Sequence, residues 1–140
     1  MPTPAPRTLL PIVVAYLPVP VAGAILSAAW HVGASPEGGP RDMVLRGTAL
    51  TPPLFLPVVL LVGAAAARRP GRDGRIGAGA VALVGGAFLA GSTANLPNDF
   101  EAAASAGTPK ALTAGLAAVH LVLAVALLFH AVPRVLSSDD

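Results

Sequence analysis

Arg68-Arg69-Pro70-Gly71-Arg72-Asp73-Gly74-Arg75 is the stretch on which the reading of this chain turns. It carries four of the nine Lys and Arg residues, and long apolar runs flank it on both sides. A short basic link broken by Gly and Pro between two such runs is the pattern of a cytoplasmic loop joining two membrane-spanning helices.

Working outward, the run before the loop gives a span over 50–67, with Thr51-Pro52-Pro53 expected in its first turn, where missing amides cost little. The run after it gives a span over 76–96, which Pro97 is expected to stop. Residues 8–30 form a third apolar run, long enough for the roughly 20 residues that cross a bilayer core. Pro11, Pro18 and Pro20 read as tolerated kinks in it, and Trp30 as an interfacial anchor. Residues 110–132 form the last run, closed by Pro133-Arg134. Residues 31–49 and 98–109 are then outside segments.

The expected fold is all-α: one domain over 1–140, a polytopic membrane protein with four transmembrane helices in an up-down bundle. Six basic residues (Arg7, Arg68, Arg69, Arg72, Arg75 and Arg134) then lie inside, against Arg41, Arg46 and Lys110 outside. That asymmetry puts both termini in the cytoplasm of a multi-pass cell-membrane protein. A cleaved signal peptide fits less well. Ser27-Ala28-Ala29 resembles a cleavage site, but the run before it is longer than a signal core of about 7–15 residues and carries three prolines.

Composition agrees. The 140 residues are 54% hydrophobic and only 11% charged, with mean hydropathy +0.72, where soluble domains carry about 25% charged residues. The net charge of +2 sits at the ends of apolar runs with no interleaved aromatics, so it reads as topology and not as a nucleic-acid footprint. The absence of cysteine excludes disulfides, thiol redox chemistry and thiolate metal sites. Arg outnumbers Lys eight to one, as in GC-rich bacterial genomes.

Two helix faces stand out. Ala78, Ala82, Gly86, Ala90 and Ala94 recur every four residues and read as a smooth face for close packing, or as a homodimer seam. Thr113, Ala117, His120 and Ala124 share a face of the last span, with His120 roughly 15 Å below the outer boundary. A ring nitrogen at that depth faces the bundle interior, bonded to a carbonyl freed by a first-span proline or serving a ligand. His130 reads as interfacial, near the inner helix end. The three histidines fall at three depths, which argues against haem held between two of them and against a histidine metal site. No cofactor is expected.

At the outer mouth, His31, Arg46, Thr51, Asn95, Asn98 and Asp99 are the candidate ligand-binding residues, Asp99 with His31 being a candidate acid–base or ion pair, and His120 is the candidate catalytic residue. No hydrolase elbow, phosphate loop or dinucleotide fingerprint occurs.

Ala22-Gly23-Ala24-Ile25-Leu26-Ser27, Arg46-Gly47-Thr48-Ala49-Leu50-Thr51-Pro52-Pro53-Leu54-Phe55 and Thr93-Ala94-Asn95-Leu96-Pro97-Asn98-Asp99, together with His120, resemble the small four-helix membrane proteins grouped with anthrone oxygenases. The Asn-Pro-Asn stretch is one residue shorter than that family's, and Leu116 and Leu123 stand where it tends to place Trp and Arg. The resemblance implies the same fold and a pocket open to the outer side, with Asn95, Asn98 and His120 around it. It also implies oxygenation of a lipophilic aromatic compound without a cofactor. The competing expectation is a non-catalytic accessory subunit, small-molecule binder or transport protomer whose partner docks on the smooth face.

Overall fold

The structure, a computed structural model, describes residues 8–38 and 40–137. Arg7, counted above among the inner cations, and the polar tail after Ser137 lie outside the described residues. The described chain is helical, and its one β-feature is an isolated bridge between Thr48 and Thr51. Three helical stretches are long and apolar enough to cross a membrane: Leu9–Trp30, Gly71–Ala94 and Lys110–Leu136.

The first stretch is two helices in series, α1 (Leu9–Tyr16) and α2 (Pro18–Trp30), broken at Leu17. Pro18 and Pro20 bring no amide protons, yet Leu17 N–H still reaches the carbonyls of Val13 (3.1 Å) and Val14 (3.3 Å), so the chain kinks without unwinding. His31 closes α2 in the left-handed conformation, φ 54°, and Val32 N–H returns 2.9 Å to the Ser27 carbonyl. That is the six-to-one bond of a Schellman cap.

The second run departs from expectation. Its helix, α3 (Phe55–Ala66), has 12 residues and is about 18 Å long, and Thr51-Pro52-Pro53 lie before it in non-helical backbone instead of in its first turn. Two successive prolines push Thr51 and Pro52 away from the helical region. The non-helical backbone is nevertheless satisfied. Thr48 and Thr51 exchange N–H···O bonds (2.7 and 3.3 Å), Ala49 N–H donates to Gly33 (3.1 Å) and Leu54 N–H to Met43 (2.9 Å). Leu50 N–H donates to Thr48 Oγ1 (3.2 Å), and Pro52 and Pro53 have no amide proton to place.

Helix α4 (Gly71–Ala94) begins inside the basic stretch, so Arg72, Asp73 and Arg75 belong to its first turns and the link shrinks to 67–70. It ends before Asn95. Pro97 does not terminate it but sits in the first turn of a new helix, α5 (Leu96–Ser105), where its fixed φ is favourable. Helix α6 (Lys110–Leu136) runs through Pro133 to Leu136, since a proline so near the helix end removes one bond of the last turns.

Helix α4 packs between α3 and α6, and α1 packs on both of those. Small residues set the spacing. A Cβ on Gly77 would overlap the Ala67 amide nitrogen, and one on Gly85 would stand 3.3 Å from Leu127 Cβ. The row Ala78, Ala82, Gly86, Ala90 is not one face of this contact. A four-residue step advances about 40° past a full turn, so the row winds from fully buried Ala78 to exposed Ala90. A Cβ on Gly86 would meet nothing within 4 Å. Large aliphatics and a phenyl ring point the other way: Ile25, Val62, Leu83, Val122 and Phe129 are each more than 60% exposed. Small residues at the closest helix contacts and large apolar ones on the outer surface suit helices solvated by lipid.

Candidate functional site

Between α3, α4, the start of α5 and α6 lies a cavity of about 260 Å³. The turn at residues 48–53 forms one wall, Ala87, Phe88, Gly91 and Ser92 of α4 another, and Leu116, Ala117 and His120 of α6 a third; Arg46, Asn95 and Asp99 add the charged and amide groups.

The turn is held in place by α2. Thr51 Oγ1 donates to the Pro20 carbonyl at 3.0 Å, and Ser27 and Thr48 share a hydroxyl–hydroxyl bond of 2.5 Å. Gly23 lets the turn close on the helix, since a Cβ there would overlap the Leu50 carbonyl oxygen.

His120 is 7% exposed. Its Nδ1 lies 2.7 Å from the Leu116 carbonyl oxygen, one turn back in α6 and not in the first span as expected. A carbonyl only accepts, so Nδ1 carries the proton and Nε2 presents a lone pair. Nε2 is buried and has no hydrogen-bond partner. The ring stands edge-on to Tyr16 (centroids 5.7 Å, 86°) and to Phe88 (6.4 Å, 88°). Tyr16, 3% exposed, also keeps its hydroxyl buried without a partner.

Asp99 is half-buried in α5, and burial pushes its carboxyl up to about 6. Arg46 lines the same cavity without forming an ion pair with it; among the described residues the ion pair is Arg69–Asp73 at the basic end.

Five sequence candidates therefore line one cavity: His120, Thr51, Asn95, Asp99 and Arg46. His31 and Asn98 do not. His31 is an exposed left-handed helix cap and does not pair with Asp99, while Asn98 is exposed on α5. Thr113, His120 and Ala124 are buried on the shared α6 face that their spacing indicated. Sequence reasoning missed Tyr16, Phe88 and the non-helical course of the wall at 48–53; the consecutive prolines 52 and 53 were the available signal for the last of these. Among the described residues no three His, Asp or Glu side chains are grouped as metal ligands.

Compared with known proteins, the chain matches no family model, no curated protein and no solved structure.

Proposed function

We propose that this is a four-span membrane protein with both termini cytoplasmic, whose cavity opens to the outer side and binds a lipophilic aromatic compound. The observation that carries the reading is the partnerless, buried Nε2 of His120 in the wall of the cavity, between the rings of Tyr16 and Phe88. An unpaired acceptor in an apolar, aromatic-lined site is costly unless a ligand donor meets it. With its proton fixed on Nδ1, His120 acts as hydrogen-bond acceptor or general base toward an acidic O–H or C–H of the ligand. Asn95, Asp99 and Arg46 receive its polar substituents. Asn95 and His120 stand on different helices around the one cavity, so the ligand reaches both. The resemblance to anthrone oxygenase-like proteins supports an oxygenated aromatic ring as the substrate class.

The test is native mass spectrometry of detergent-purified protein, with an absorption spectrum of the same sample, for wild type and His120→Phe. That substitution keeps ring bulk and deletes both nitrogens. A co-purifying aromatic that disappears in the variant is the expected result, and a bound species indifferent to His120 sinks the reading.

A second reading, an accessory subunit or homodimer, is supported by Gly79 and Gly86 on α4, where an added Cβ would meet no atom within 4 Å and a partner helix has room to approach. Under it Gly86→Leu disrupts a partner complex and His120→Phe does not.

A further inference from the structure

A second hollow, about 490 Å³, opens between the first helical stretch and α6. Apart from Tyr16 its lining is wholly apolar, with Ile12, Val19, Ala118, Val122 and Leu123 among it. Tyr16 borders this groove, His120 borders the polar cavity, and their rings stand edge to face at 5.7 Å, so the two side chains together separate the spaces. Each carries a buried polar atom without a partner, Tyr16 Oη and His120 Nε2. Tyr16 is also the last residue of α1, immediately before the break at Leu17 that Pro18 and Pro20 impose.

We propose that cavity and groove are two halves of one site for an amphiphile: a phenolic ring in the cavity and its apolar chain in the groove, joined past Tyr16. The inference rests on the ligand-binding reading above and narrows its ligand class. Size is the first argument. A cavity of about 150 Å³ holds a benzene, so 260 Å³ takes a substituted ring but not a long chain as well. Hydrogen-bond chemistry is the second. Nε2 only accepts here, so the ligand must donate, and a phenol O–H does so where a ketone cannot. The Tyr16 hydroxyl both donates and accepts, and completes the set. Continuity is the third: the one polar residue of the groove is the one that touches the cavity's histidine.

Binding of 4-methylphenol and 4-decylphenol to the full chain in phosphatidylethanolamine/phosphatidylglycerol nanodiscs tests this. Wild type is expected to bind the decyl compound at least about tenfold more tightly. Ala118→Phe, which fills the groove from an exposed position, removes that advantage and leaves 4-methylphenol binding unchanged. Val122→Trp, at a side chain 71% exposed, is the second groove-filling variant should the first fold poorly. Tyr16→Phe weakens both compounds about tenfold. Equal affinity for the two phenols, or a chain advantage that persists in both filled variants as plain membrane partitioning, overturns the proposal while the cavity reading stands. Tyr16→Phe binding like wild type overturns it as well, and failure of both phenols to bind overturns both readings together.

Discussion

The Thr51 hydroxyl donates to the Pro20 carbonyl at 3.0 Å, linking two non-adjacent segments where each is interrupted by proline. Thr51 begins the Thr-Pro-Pro stretch that keeps residues 51–53 out of helix, and Pro20 lies just past the α1–α2 break. The bond fixes the irregular wall of the cavity onto α2.

Thr51→Val keeps the β-branched shape and deletes the donor. Such a buried bond is worth about 1 kcal/mol, so Tm in detergent should fall by a few degrees. Thr51→Ser should recover most of the loss. Equal melting of the Val and Ser variants would remove the bond from the account.

Glycines separate packing from open surface. A Cβ at Gly23 would overlap the Leu50 carbonyl, and one at Gly77 would lie 2.6 Å from the Gly63 carbonyl. Both obstacles are backbone, which cannot rotate aside, so Gly23→Ala and Gly77→Ala should each cost about 1–3 kcal/mol. Gly86→Ala meets nothing within 4 Å and gains helix propensity, so it should melt at or above wild type. Thermal unfolding of the three variants reads the contrast directly; a Gly86→Ala loss as large as that of Gly77→Ala would show that a neighbour covers this face.

Hydropathy made the three long apolar helices legible, because the apolar length that lipid demands is written residue by residue. The positions of Thr113, His120 and Ala124 were legible from helical spacing. The polar mouth was legible in part. Arg46, Thr51, Asn95 and Asp99 converge because helix ends do, whereas His31 is turned away by its own left-handed cap, a conformation that no spacing rule reveals for a histidine. The four-residue alanine row was legible in part, since it winds slowly about α4: Ala78 is buried in the packing while Ala90 is exposed. Tyr16 was illegible because its role depends on which helix α1 meets, and pairing of helices is a property of packing.

Asp99 gives the fold a pH dependence of definite sign. Burial raises its carboxyl from 3.8 to about 6, so the folded protein holds this proton more tightly than the unfolded chain. Between those values stability falls as pH rises, and above about 6 the loss is complete. Half-exposure and screening limit the effect to about 1 kcal/mol. Wild type should therefore melt higher at pH 4.5 than at pH 8 in this contribution, and Asp99→Asn should flatten the difference and raise Tm at pH 8. Parallel melting curves for the two proteins across this range would contradict the burial argument.

Topology is open to an unusually clean test, because the chain has no cysteine to obscure engineered ones. Helix α3 is only about 18 Å long, and whether it crosses depends on residues 48–54 covering the remaining depth in non-helical backbone. Single cysteines at Ser35, Arg72 and Asn98 sit before α3, after α3 and after α4, all three at exposed positions. With four crossings, Ser35→Cys and Asn98→Cys react with a membrane-impermeant maleimide on intact cells, while Arg72→Cys reacts only in inverted vesicles. If Ser35→Cys and Arg72→Cys react from the same side, the 48–54 turn and α3 form a re-entrant hairpin and the chain crosses three times. That outcome would put residues 31–49 and α5 on opposite sides and separate Arg46 from Asp99, which the cavity they line together does not allow.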